Sequence, residues 1–177
     1  MADQAPHTLV VMRHAKAEQV GPSDFERPLA ARGHRDATAA GRWLAEQGVT
    51  PDAALVSAAL RTTETWQHVL AGAGWKLGAN FDLDLDRSLY SADTDSALDL
   101  IRFVDESVST LVVVGHNPTM AYLAQLLDDG DGDATAMTEL LSGTYPTSAT
   151  AIFAVTSPWA ELAPASATLT GYAVGRG

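Results

Sequence analysis

Thr8-Leu9-Val10-Val11-Met12-Arg13-His14-Ala15 is a short aliphatic run that ends in an arginine, a histidine and a small residue. It has the length and the branched side chains of a buried strand. Further along, Leu111-Val112-Val113-Val114 leads in the same way into Gly115-His116-Asn117-Pro118. A third apolar segment, Ala53-Ala54-Leu55-Val56-Ser57, is followed closely by Arg61. Histidine at the end of a central strand is poorly placed for packing, because the strand stops where the sheet opens to solvent. In parallel α/β sheets the carboxyl ends of the strands share one edge, so groups remote in sequence meet there. Two histidines and two arginines delivered this way predict a site for an anion.

Composition narrows the classes. The 177 residues suffice for a single domain, residues 1–177, with a sizeable core. Hydrophobic residues make up 46% and charged residues 19%, which is globular and not disordered. There are 22 acidic residues against 11 basic ones, for a formal net charge of -11. Such a field repels nucleic acid and anionic membranes, so neither is expected as a partner. A phosphate would have to be drawn in by a local cluster of arginines. The absence of cysteine excludes disulfides, a thiol nucleophile and zinc–thiolate sites. No apolar stretch reaches the roughly 18 residues that span a bilayer, and Met1 to Pro6 has no signal-peptide pattern. The expectation is a soluble, cytoplasmic protein whose oligomeric state the sequence leaves open.

Between the strands the pattern turns helical. Leu29 to Gln47 carries apolar residues at Ala37, Ala40, Trp43 and Leu44, and Gly48 stops it. Leu60 to Leu70 is a second helix, ended by Gly72 and Gly74. Phe81, Leu83 and Leu85 alternate with acidic residues, as in an edge strand. Asp95 to Ser107 puts Leu98, Ile101 and Val104 on one face, with Asp93, Thr94 or Asp95 as cap. A further helix covers Thr119 to Leu127. Thr147 to Val155 and Ala167 to Val174 predict two strands paired antiparallel at the sheet edge. The alternation implies an α/β fold, a three-layer sandwich with a mostly parallel central sheet flanked by helices.

Other features are read as structural. Asp128 to Asp133 invites comparison with a calcium loop, but Ala134 stands where glycine is needed and Leu140 where glutamate is needed. A solvated loop is the better reading. His7, His34 and His68 are expected in solvent. Trp43, Trp66 and Trp75 are expected to pack helices and not to stack bases.

The convergent residues permit one chemistry above others. Arginine presents a planar fork of donors that matches phosphate oxygens. A neutral imidazole can attack phosphorus, splitting one hard displacement into two easier ones. Phosphoryl transfer needs positioning and charge neutralisation more than elaborate bond chemistry. Arg13, Arg61 and a protonated His116 would supply both without a metal or other cofactor, and the cations should lower the pKa of His14.

Here the chain resembles a known family. Arg13-His14-Ala15 is similar to the Arg-His-Gly signature of the histidine phosphatase superfamily, which has the phosphoglycerate mutase-like fold. Ser57 through Thr65, with Arg61-Thr62 inside it, resembles the second element of that family, and Gly115-His116-Asn117-Pro118 the third. Asp24-Phe25-Glu26-Arg27-Pro28-Leu29, followed by Arg32-Gly33, narrows the resemblance to the small SixA-type phosphohistidine phosphatases. They have a similar length, so the likeness covers nearly the whole chain. Carried over residue by residue, it implies that His14 accepts the phosphoryl group while Arg13, Arg61 and His116 bind it. Arg27, Asn117 and Ser57 are implied as substrate-binding residues, Arg27 at the pocket rim and Asn117 in the turn or on a phosphate oxygen. A loop arginine can equally pair with Asp24 or Glu26.

Two departures stand out. Ala15 replaces glycine, so the backbone there should not need positive φ. Larger members of the superfamily carry a general acid after a middle strand, whereas the matching stretch Arg87-Ser88-Leu89-Tyr90-Ser91 has no carboxylate, and Asp84 and Asp86, though close in sequence, do not match that role. An alcohol leaving group needs a proton in the transition state, but a phosphoramidate can already carry one on nitrogen. The resemblance therefore implies a metal-independent phosphatase for phosphohistidine on a protein partner. Small phosphorylated metabolites are the first rival substrate, and a non-catalytic phosphate- or phosphoprotein-binding module is the rival class. A mutase would need an acid/base group and a lid, and no long lid segment is present.

Overall fold

Successive side chains of a strand point to opposite faces, so a run that is apolar throughout must be covered on both sides. The computed structural model, which describes residues 5–177, meets that demand. Part of the Met1 to Pro6 stretch, residues 1–4, lies outside the described residues. The elements in chain order are β1 (His7–Arg13), α1 (Ala31–Glu46), β2 (Ala53–Ser57), α2 (Leu60–Ala73) and β3 (Asp82–Asp86). They continue with α3 (Thr94–Arg102), β4 (Thr110–Gly115), α4 (Thr119–Leu127), α5 (Ala134–Ser142), β5 (Ala149–Val155) and β6 (Ala167–Val174). The strands form one sheet in the order β3-β2-β4-β1-β5-β6. Pairings from β3 through β1 are parallel, and β5 and β6 add an antiparallel margin.

Leu9 and Val11 of β1, with Leu111 and Val113 of β4, bury one face beneath Leu98, Ile101, Met120, Leu123 and Leu140 of α3, α4 and α5. Val10, Met12, Val112 and Val114 bury the other beneath Ala37, Leu44, Trp66 and Val69 of α1 and α2. Each such Val or Leu contributes roughly 1.5–3 kcal/mol relative to exposure. Because both faces are apolar, burial alone does not choose between adjacent registers of β1. The polar end does: a slip of one residue would drag Arg13 or His14 toward the core, at a cost of several kcal/mol.

The helices α1 and α2 lie unusually close. A Cβ on Gly41 would sit 2.1 Å from the Val69 carbonyl oxygen, and one on Gly72 2.1 Å from that of Thr38. Gly72 is therefore inside α2, which runs past the expected end and stops at Gly74 in a left-handed turn. Conversely, α3 ends at Arg102, short of the expected Ser107, and Asp93 caps its start through Ser96 N–H. The helix α5 occupies a stretch for which the sequence predicts no element. Asp133, read as part of an acidic loop, is its N-cap and accepts from Ala136 N–H at 2.8 Å.

Two other loop carboxylates are spent on turns: Asp128 accepts from Gly130 N–H and Asp129 from Asp131 N–H. Trp66 is buried and stacks on Phe81, so the packing assignment for the tryptophans holds. The expectation for the three outlying histidines does not. His7 is 6% exposed, bonded to Val108 O and to Glu106, and packed on Trp159. His34 and His68 share a 2.6 Å hydrogen bond between α1 and α2. A residue near a terminus or on a helix looks solvated in sequence, but its neighbours across space decide. Among the described residues no helix is long and apolar enough to cross a membrane.

Candidate active site

β1, β2 and β4 run in one direction and end at one level: Arg13 pairs with Gly115, and Val56 with Val114. Whatever follows each strand reaches the same rim. His14 follows β1, its N–H donating to Gly115 O at 3.0 Å, and His116 follows β4. After β2, Ala58 and Ala59 turn the chain into α2, placing Arg61 in its first turn. The two imidazoles stand 5.3 Å apart, tilted by 58°.

His14 is 8% exposed, and its Nδ1–H donates to Ala15 O at 2.7 Å. The lone pair is thereby assigned to Nε2. Thr65 fixes Ala15 in turn: its hydroxyl accepts from Ala15 N–H at 3.0 Å and donates to Arg61 O at 2.6 Å. Ala15 has no positive φ, as its replacement of glycine implied. Burial pushes the His14 pKa down to about 4, with Arg61, Arg13 and Arg27 acting in the same direction against the bond to Ala15.

Arg61 is buried, with Nη1 donating to Asp24 O at 2.7 Å and Nη2 to Asp24 Oδ2 at 3.2 Å. Arg13 Nη1 donates to Tyr145 O at 3.2 Å. The Nε–H groups of both arginines are buried without a partner, as is Nδ1 of His116. Buried donors in folded proteins are nearly always satisfied, so a cluster of unsatisfied ones beside two imidazoles marks a place built for acceptors. Arg27 sits at the edge of this group, bonded to Asp24 Oδ1 and Glu18 O, while its charge still reaches His14.

Two assignments need correction. His116 was expected to be protonated; burial first, then His14, Arg61 and Arg13, push its pKa down to about 3, so the ring is neutral at neutral pH. Ser57 was expected to bind substrate, but it is fully buried and its hydroxyl bonds His116 Nε2 at 2.7 Å. Asn117 turns its amide donors onto Thr144 O and Tyr145 O, the turn-shaping one of its two expected roles.

The carboxylates that precede the 87–91 stretch are turned to other tasks. Asp86 caps the turn after β3 through Ser88 and Leu89 N–H. Asp84 lines a separate cavity of about 290 Å³ with Leu55, Leu100 and Phe103. The carboxylate that does reach the rim is Asp24, and a hydrogen bond from Tyr90, followed by Arg61 and Arg27, holds its pKa at about 2. Asp24 and Tyr90 are the residues that sequence reading passed over. The 87–91 stretch holds no carboxylate, and its tyrosine reaches the rim only through a partner distant in the chain. Among the described residues no three His, Asp or Glu side chains gather to hold a metal ion.

The neutral pair has a measurable consequence. Both folded pKa values lie below the unfolded value of 6.5, so between about pH 3 and 6.5 the unfolded chain binds more protons. Stability is full above pH 6.5 and falls on acidification, by about 3 kcal/mol from His14 alone once the pH passes below its folded pKa. Ring resonances of His14 and His116 in phosphate-free buffer should show no titration between pH 5.5 and 8, and urea midpoints should fall below pH 6.5. A ring that titrates near 6.5 contradicts this account.

Comparison with known proteins adds an independent line. Residues 9–86 match the model of the histidine phosphatase superfamily (branch 1). An uncharacterized protein of Mycobacterium tuberculosis (strain H37Rv) is 38% identical over 166 residues, covering 93% of this chain and 100% of the relative. A structure from Nakamurella multipartitia, assigned to the phosphohistidine phosphatases as SixA, superposes with a TM-score of 0.79 at 32% identity over 98% of both chains. Its counterpart from Agrobacterium tumefaciens, assigned likewise, gives 0.75 at 26% identity over 96% of this chain and 99% of that one. Likeness of this degree along the full length of both chains means common descent: the protein belongs to the histidine phosphatase superfamily, among its SixA-like phosphatases.

Proposed function

We propose that this phosphatase acts on phosphohistidine carried by a protein, through a phosphorylated His14. The observation that carries the reading is the tautomer of His14, with its proton held by Ala15 O and a lone pair left on Nε2. In the first step Nε2 bonds to phosphorus and the substrate P–N bond breaks. A substrate ring protonated on its other nitrogen departs as neutral imidazole, so no acid is required. In the second step water bonds to phosphorus, the P–Nε2 bond breaks, and both water protons leave on the phosphate. His14 is again the Nδ1–H tautomer, without any proton passed through the protein.

Arg13, Arg61 and His116 would neutralise the transferring group. The arrival of a dianion is also what would charge His116, since an opposite charge at contact distance favours the protonated ring. Two clefts flank the rim. One, of about 560 Å³, is lined by Pro22, Phe25, Pro28, Ala58 and Leu60, and the other, of about 500 Å³, by Pro118, Ala121, Tyr122 and Thr144. Tyr122 is 59% exposed, so this surface can meet a large partner.

The test compares a phosphohistidine-bearing protein with a panel of sugar and aryl phosphates, each with and without chelator. The expected result is a kcat/KM at least about 10²-fold higher on phosphohistidine and no effect of chelator. Preference for stable alkyl phosphates would overturn the substrate assignment, and loss of activity with chelator would overturn the metal-independent mechanism.

A further inference from the structure

Resting on the function proposed above, we propose that Asp24 and Tyr90 are positioning residues, a hydrogen-bonded clasp that sets the Arg61 guanidinium and the His116 ring against the phosphoryl group. Asp24 belongs to the loop between β1 and α1, and Tyr90 to the short turn after β3. The Tyr90 hydroxyl donates to Asp24 Oδ2 at 2.6 Å. The same carboxylate oxygen accepts from Arg61 Nη2, the Asp24 backbone carbonyl accepts from Arg61 Nη1, and Oδ1 accepts from Arg27. Both outer nitrogens of Arg61 are thus engaged by one residue, and its unpartnered Nε–H lies on the edge that remains.

Tyr90 contributes through its ring as well. It meets His116 edge-on at 5.4 Å and Phe25 edge-on at 5.0 Å, and the Arg61 guanidinium lies 5.8 Å from its centre. The loop is tied down a second time where Leu60 N–H donates to Phe25 O at 3.0 Å. Tyr90 lies in the 87–91 segment, which holds no carboxylate, and its own proton is committed to Asp24. It orients the anion site and supplies no proton to the leaving group, which fits a substrate that needs none.

The sign of one measurement separates positioning from simple charge balance. A carboxylate beside an anion site repels the anion, so removing its charge alone would tighten phosphate binding. If Asp24 instead orients Arg61, Asp24→Asn weakens it. We expect Asp24→Asn and Tyr90→Phe each to lower kcat/KM on the phosphohistidine protein by about tenfold or more, with the inhibition constant of inorganic phosphate rising in parallel. The double variant should lose no more than about threefold beyond the worse single, because the two side chains act through one bond. Melting temperatures should stay close to the parent, since Asp24 is exposed and phenylalanine keeps the Tyr90 ring.

Tighter phosphate binding by Asp24→Asn, activities within about twofold of the parent, or lost activity with unchanged phosphate affinity would each overturn the proposal. His14→Ala is run alongside. If that variant still turns over, the function itself is misassigned. If it is inactive while Tyr90→Phe and Asp24→Asn are not impaired, the clasp alone is wrong.

Discussion

Replacing His14 with alanine should abolish turnover, lowering kcat by about 10⁴-fold or more while phosphate binding stays within about tenfold of the parent. The asymmetry follows from the division of labour. In the proposed mechanism Nε2 is the atom that bonds to phosphorus, and the other imidazole at the rim, His116, is held by Ser57 through its own Nε2. The proposed anion donors, by contrast, are Arg13, Arg61 and Nδ1 of His116, none of which is bonded to the His14 ring. The measurement is single-turnover and steady-state kinetics beside calorimetric titration with phosphate. Rapid quenching of the parent should trap label on His14. Turnover that survives in a clean preparation of the alanine variant would remove His14 as nucleophile. A parent that binds phosphate but never turns over would reveal a binding module that keeps the pocket without the chemistry.

Arg61→Ala should have the second-largest effect, about 10³-fold in kcat/KM, in line with removal of a guanidinium that neutralises a transferring phosphoryl group. Arg61 is 5% exposed and fixed at two nitrogens by Asp24, so its charge is presented in a medium that screens it weakly. Its removal also strands Asp24 at the rim with one fewer cation, turning a neutralised carboxylate into a repulsive one. Arg61→Lys should recover less than about a tenth of the activity, because an ammonium cannot fill the fork toward Asp24 and also face the anion. Kinetics on both variants, with phosphate titrations, check this. A lysine variant near parental activity would show that charge alone is needed at this position and not geometry.

How far the chain can be read without coordinates differs from element to element. The strands β1, β2 and β4 are legible because each is buried on both faces and so appears as an unbroken aliphatic run. The helix α4 matches its expected bounds for a related reason, a continuous apolar stretch opened by Pro118. α5 was not legible: Asp133 reads as part of an acidic loop, and the helix is short and buries only Ala136 and Leu140 fully. The end of α2 shifted because a glycine can serve as a close-contact residue or as a stop, and only packing against α1 shows which Gly72 is.

The site divides in the same way. His14, Arg13, Arg61 and His116 could be named from motifs, since strand direction alone sends the ends of β1, β2 and β4 to one edge. Ser57 and Asn117 lie at that edge, with their polar groups turned onto His116 and onto the Thr144 and Tyr145 carbonyls. A sequence gives position along the chain but not the direction in which a hydroxyl or an amide points. The clasp of Asp24 and Tyr90 joins residues 66 apart in the chain and carries no local pattern.

Residue order by itself therefore determined which strands are buried, that they run parallel, and which charged tips they bring to a common rim, because those follow from periodicity and connection handedness. Tertiary structure alone decided the state of the groups at that rim: which imidazole nitrogen keeps its proton, that both rings are neutral, and what each guanidinium holds. Proton affinity and hydrogen-bond direction depend on burial and on neighbours distant in the chain, and those come into being only when the polypeptide closes around them.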